Sequence, residues 1–117
     1  MNARTQLRKL LGAPRYLIAP GAYDTLTARL VQAAGFDAVY LTGGGYSRAS
    51  GYPDVGLLTM TENLQFIART VEAVDIPVIA DMDTGYGNAV NVVRSMREYE
   101  KSGVAAFHIE DQVSPKK

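Results

Sequence analysis

Asp81 and Asp83 stand two residues apart at the end of an apolar run, Pro77-Val78-Ile79-Ala80, and are followed by Thr84-Gly85-Tyr86-Gly87-Asn88. On a β-strand that spacing sends both carboxylates to one face. Two carboxylates leaving a strand tip together suit a hard cation such as Mg²⁺, which takes oxygen ligands and keeps several waters. A pair of solvated aspartates capping a loop is the other reading of the same spacing. His108 and Glu110 repeat the spacing further on, with Phe107 and Ile109 pointing the opposite way. A lone histidine on a strand is commonly a hydrogen-bonding residue, but a carboxylate aimed at a core is costly unless it is paired or lies near a cation. Asp81, Asp83 and Glu110 have no Lys or Arg on the strand segments that carry them. Together they predict a bound cation, or at least raised carboxyl pKa values.

Two further segments could hold a ligand. Tyr40-Leu41-Thr42 runs into Gly43-Gly44-Gly45, whose amides are unobstructed by side chains and could cradle a carboxylate or phosphonate. The same glycines could equally be a flexible turn chosen for its dihedral angles. Asp54 lies in Gly51-Tyr52-Pro53-Asp54-Val55-Gly56, part of a long loop of the kind that often forms an active-site lid; an Asx-turn is its simpler role.

The elements that must position these residues alternate along the chain. A short helix over about Thr5 to Leu11 precedes a first strand, Tyr16-Leu17-Ile18-Ala19, stopped by Pro20-Gly21. Asp24 can cap a helix on which Leu26, Leu30 and Ala33 or Ala34 share a face, closed by Gly35. A second strand covers Asp37 to Thr42, and a long loop follows it through Gly56. Thr59 and Glu62 have capping-box spacing before a helix with Leu64, Ile67, Ala68 and Val71 as its buried stripe. The third strand is Pro77 to Met82. Asn88 caps a helix with Ala89, Val92, Val93, Met96 and Tyr99 on one face, ending at Gly103, and Ala105 to Glu110 is the fourth strand. Short apolar strands alternating with amphipathic helices predict a parallel α/β sheet with its chemistry at the carboxyl ends of the strands.

Ala34 to Thr42 and Ser102 to Glu110 also align without a gap, two βα units apart at about 34 residues per unit. Regular units of that size fit a (β/α)₈ barrel, which needs about 250 residues in all. The 117-residue chain would then supply strands one to four.

Composition narrows the partners. Twelve basic and twelve acidic residues cancel, leaving no basic stripe for nucleic acid and no charge block typical of a disordered tail. With no Cys, disulfides and thiolate metal sites are excluded. The first eleven residues lack the apolar core of a signal peptide, and no run approaches membrane-spanning length. A soluble, cytoplasmic protein without membrane or nucleic-acid partners is the expectation.

Pro20-Gly21-Ala22-Tyr23-Asp24, Tyr40 to Gly45, Gly51 to Gly56, Asp81 to Asn88 and His108-Ile109-Glu110-Asp111-Gln112 together resemble the isocitrate lyase and phosphoenolpyruvate mutase superfamily. The resemblance implies a Mg²⁺-dependent (Mn²⁺ as substitute) (β/α)₈ barrel handling small α-keto or α-hydroxy carboxylates. Residues 1–117 would be the N-terminal half of one such domain, in a family whose full-length members are homo-oligomeric, typically tetramers. It implies Asp81 as the principal metal-side and substrate-side carboxylate, with Asp83 and Glu110 reaching the metal through water. Thr42, Gly43 and Gly44 would take the carboxylate and keto oxygen of a pyruvate-like unit, Tyr40 and His108 would line the pocket, and Asp54 would belong to a gating region. Asp54, His108 and Glu110 are the candidate catalytic residues. Most relatives have Ser where this chain has Thr42; the hydroxyl is kept and a methyl is added beside the substrate carboxylate. Lyase members continue Lys-Lys/Arg-Cys-Gly-His, and Lys116-Lys117 match only the first two of those positions. The expected activity is C–C bond cleavage of the 2-methylisocitrate type through a stabilised enolate. A phosphonomutase, an oxaloacetate decarboxylase and an inactive half-barrel are the alternatives.

Overall fold

A computed structural model of the chain describes residues 1–116. Helix α1 (Ala3–Gly12) starts where the Asn2 side chain accepts the Thr5 amide. The first strand, β1, is Gly21–Ala22, and not Tyr16 to Ala19. Tyr16 and Ile18 have strand-forming side chains but are exposed. The ladder to the next strand begins only where the Pro20 carbonyl accepts the Tyr40 amide and Ala22 that of Thr42. Strand composition needs a partner, and the register supplies one two residues later.

Helix α2 (Thr25–Ala33) is capped by Asp24, whose side chain accepts the Thr27 amide and hydroxyl, holding its carboxyl below the usual range. The face shared by Leu26 and Leu30 is solvent-exposed, not buried. Small residues face inward instead: Ala28 and Val31 are buried, and the Thr25 hydroxyl lies 3.1 Å from that of Thr70.

Strand β2 is Val39–Leu41. The expected loop after it begins with helix α3 (Gly43–Ala49), capped by Thr42 Oγ1, which accepts the Gly45 amide at 3.0 Å. Helix α4 (Met60–Ala73) has the expected capping box, and buries Phe66, Ile67 and Thr70 while leaving Ala68 exposed. Strand β3 is Val78–Asp81, α5 is Ala89–Lys101 behind its Asn88 cap, and β4 is Ala106–His108. On α5, Ser95 and Tyr99 turn inward, whereas Val93 and Met96 are exposed.

The four strands form one parallel sheet in the order β1-β2-β3-β4, with Tyr40 opposite Ile79 and Asp81 opposite His108. The core between sheet and helices contains Val39, Leu41, Phe66, Ile67, Val78, Ala80, Met82 and Tyr99. Every strand ends on the same side, so Thr42, Asp81 and His108 leave the sheet together. No described helix is long and apolar enough to cross a membrane.

Candidate active site at the carboxyl ends of the strands

Asp81 is the last residue of β3 and sits beside the fully buried Ala80 and Met82. Its carboxylate is fixed by backbone amides on both sides. Oδ1 accepts the Asp83 N–H at 2.8 Å and Oδ2 that of Gly43 at 3.2 Å. Asp83 lies beyond the strand in a left-handed conformation, φ +50°, which aspartate tolerates better than most side chains. The two carboxylates therefore converge through a turn stabilised by Asp81 itself, and not through strand alternation.

His108 ends β4 in the register opposite Asp81, with Nε2 3.5 Å from Asp81 Oδ1. Its ring stacks on Tyr40, centroids 5.4 Å apart, and the Tyr40 hydroxyl lies 3.2 Å from Nε2. Burial, aided by the Asp81 and Glu110 charges, pushes the Tyr40 phenol above its usual value, so it stays a neutral donor. The turns after β3 and β4 are tied together: Met82 donates to the His108 carbonyl at 3.0 Å, and Glu110 to that of Asp83 at 2.7 Å. This brings donor atoms of Asp81, His108 and Glu110 within 4.8 Å of one another.

The glycines serve close approach. None of Gly43, Gly44 and Gly45 has positive φ. A Cβ on Gly43 would sit 2.6 Å from Asp81 Oδ2, and one on Gly44 would sit 2.8 Å from Asp54 Oδ2. Asp54 thus reaches from its loop into the same pocket, which Gly43, Asp81, Asp83 and Tyr86 also line.

Lys116 completes the cluster. Its Nζ lies 3.2 Å from both Asp83 Oδ1 and Glu110 Oε2 and 3.5 Å from Asp54 Oδ1, with the side chain only 10% exposed. Burial alone would lower its pKa, but hydrogen bonds to Asp83 and Glu110 and the nearby charges hold it above the ordinary lysine value. Gln112 also donates to Glu110 Oε2. Counting cations on the strand segments misses Lys116, because it arrives from the chain beyond β4. The neighbouring Lys117 lies outside the described residues.

Sequence reasoning also missed the support beneath Asp81. Tyr99 Oη donates to the Asp81 carbonyl at 2.9 Å and lies 3.0 Å from Tyr86 Oη, while Ser95 Oγ donates to the Gly85 carbonyl at 2.8 Å. The signal was present in α5, where Ser95 and Tyr99 are four residues apart on one face. All the expected site residues, Tyr40, Thr42, Gly43, Gly44, Asp54, Asp81, Asp83, His108 and Glu110, lie at this end of the sheet. The oxygen-rich set could hold a hard cation beside a small anion.

Residues 7–117 match the family model described as phosphoenolpyruvate phosphomutase. A 2,3-dimethylmalate lyase of Eubacterium barkeri is 56% identical over 118 aligned positions, covering 100% of this chain and 41% of that protein. A 2-methylisocitrate lyase of Aeropyrum pernix is 44% identical, covering 95% of this chain and 36% of its own length. Among solved structures, a phosphonopyruvate hydrolase in complex with oxalate and Mg²⁺ superposes with a TM-score of 0.95 at 37% identity, covering 100% of this chain and 41% of that one. The chain therefore spans about 40% of the length of the proteins it resembles.

Proposed function

The chain belongs to the phosphoenolpyruvate phosphomutase family, and from that premise we propose that it forms part of a Mg²⁺-dependent C–C bond lyase for a small 2-hydroxy di- or tricarboxylate. Substrates such as 2-methylisocitrate or 2,3-dimethylmalate fit the reading, by analogy with the lyases it resembles. The observation that carries it is the convergence of Asp81, His108 and Glu110 within 4.8 Å at the strand ends, beside the glycine amides of α3.

The donor set suits a divalent cation. Asp54, Asp83 and Glu110 already surround one positive charge, the Lys116 ammonium, which stands in for an ion. Asp81, Asp83 and Glu110 would hold Mg²⁺, or Mn²⁺ in its place, and the bound ion would supply Lewis-acid stabilisation of developing negative charge. Gly43 spends its amide on Asp81 and Gly45 on Thr42; we assign the Gly44 amide to a substrate oxygen, since the first helical N–H groups lack intrahelical partners. Thr42 Oγ1 accepts one bond and keeps its proton to donate to a carboxylate. Tyr40 donates from its neutral phenol, and His108, stacked against it, lines the same wall. We assign Asp54, which reaches from its loop against Gly44, to the gating region of the pocket.

Likeness to a phosphonopyruvate hydrolase supports a second reading, cleavage or transfer at phosphorus using the same stabilisation. A cytoplasmic location and self-association complete the proposal, the latter supported by the exposed Leu26 and Leu30 on α2. Calorimetry with oxalate, an enolate mimic, tests the shared site: binding is expected only with Mg²⁺ present. Equal binding without metal would contradict it. Product analysis separates the two readings, since the lyase releases pyruvate or a related acid from dimethylmalate and the alternative releases phosphate from phosphonopyruvate.

A further inference from the structure

A divalent ion at Asp81, Asp83 and Glu110 would serve one end of a 2-hydroxy dicarboxylate, the hydroxyl and the carboxylate beside it. The second carboxylate needs a cation of its own, because Asp54, Asp81 and Asp83 make the pocket wall acidic. Lys116 is already engaged, its Nζ within 3.5 Å of Asp54 and 3.2 Å of Asp83 and Glu110.

Arg48 stands beside that pocket. It lies four residues after Gly44 on α3, so the two share a helix face and the longer side chain leans back over the preceding turn. Gly44 has no side chain to fill the space. Arg48 Nη1 lies 3.2 Å from the point where a Cβ on Gly44 would sit, and Asp54 Oδ2 lies 2.8 Å from the same point. Even so, Asp54 pairs with Lys116, and every ion pair among the described residues uses a basic residue other than Arg48. Arg48 is exposed, open to a ligand arriving from solvent. A guanidinium without a carboxylate partner among the described residues therefore lies over the glycine whose amide is assigned to a substrate oxygen.

We infer, on the metal and substrate reading given above, that Arg48 selects the substrate by its second carboxylate, pairing with it across Gly44 while the metal end is held at Asp81. The planar guanidinium can meet both oxygens of a carboxylate at once, which an ammonium cannot. A ligand with a neutral group at that end leaves the fork unmet and binds less tightly.

Calorimetry with saturating Mg²⁺ and three probes tests it: oxalate, which engages only the metal end; malate; and the 4-amide of malate, which replaces the second carboxylate by a neutral group of the same shape. Wild-type protein should bind malate about tenfold more tightly than the amide, the scale of a charge-assisted hydrogen bond. Arg48→Gln should erase that preference by weakening malate about tenfold, with oxalate and the amide changed by less than about twofold, and Arg48→Lys should recover only part of it. Oxalate failing to bind in the presence of Mg²⁺ would overturn the metal reading and this inference with it. Oxalate binding without any preference for malate over the amide in the wild type would overturn the role of Arg48 alone, and that comparison needs no variant. An unchanged malate affinity in Arg48→Gln would overturn it too, as would equal losses of malate and oxalate, which mark a general disturbance of the pocket. Circular dichroism of both variants confirms that their affinities are those of folded protein.

Discussion

The Tyr99 hydroxyl donates a 2.9 Å hydrogen bond to the carbonyl oxygen of Asp81, tying the middle of α5 to the residue at which β3 stops. Tyr99 is fully buried, stacks edge-on against Phe107 with centroids 5.8 Å apart, and hydrogen-bonds Tyr86. The backbone beneath the candidate metal ligand is thus positioned by a side chain that touches no ligand. Tyr99→Phe keeps the packing and removes the donor. It should cost about 1–2 kcal/mol, the usual consequence of leaving a buried polar partner unmet, read as a lower midpoint in urea.

The same tyrosine makes stability depend on alkaline pH. Burial pushes the Tyr99 phenol up to about 12 from 10.0. Its proton is therefore held more tightly in the folded than in the unfolded chain. The stabilisation is complete below pH 10, and is lost progressively as pH rises towards 12 because only the unfolded state releases the proton in that window. Tyr86 is raised for the same reason, burial first and Tyr99 second. Wild-type stability should fall above pH 10, and Tyr99→Phe should fall less steeply; identical slopes would remove Tyr99 as a source.

Close approach, and not dihedral freedom, explains two of the glycines. Gly43→Ala and Gly44→Ala place a methyl against Asp81 and Asp54 at 2.6 and 2.8 Å. Each should lose about 1–3 kcal/mol as overpacking does, and displace the carboxylate concerned. Gly12→Ala is the control. Nothing lies within 4 Å of its Cβ at the end of α1, so it should be neutral or gain up to about 1 kcal/mol. Thermal unfolding of the three variants decides the comparison.

The alternation of strands and helices was legible because its signals are local. Thr59 with Glu62, Asp24 and Asn88 announce helix starts, and the apolar runs around Val39 and Val78 announce strands. The position of β1 was not legible, because Tyr16 to Ala19 has the composition of a strand while pairing is decided by where β2 finds carbonyls. Helix α3 was hidden by three glycines, poor helix formers, whose place is set by the Thr42 cap and by carboxylates seated on them. The strand-end carboxylates were legible from spacing alone. Lys116 was not, since its role depends on a turn-rich segment folding back over the sheet.

Unpartnered edges predict self-association. Among the described residues β1 and β4 each pair on one side only, and beside β4 lies a groove of about 450 Å³ whose walls include Val93, Met96 and Phe107. Such edges and apolar faces invite further chain. In sedimentation the 117-residue protein should run as a dimer or larger, with little turnover by itself. A monodisperse monomer cleaving 2-methylisocitrate as fast as longer relatives would contradict this.

The central claim is that Asp81 anchors a divalent-cation site at the carboxyl ends of β3 and β4. Titrating Mn²⁺ into wild-type protein and Asp81→Asn, which keeps the shape and one of the two amide contacts while removing the charge, tests it most directly. Affinity should drop at least tenfold in the variant with its circular dichroism unchanged; an unchanged affinity in a folded Asp81→Asn protein would contradict the account.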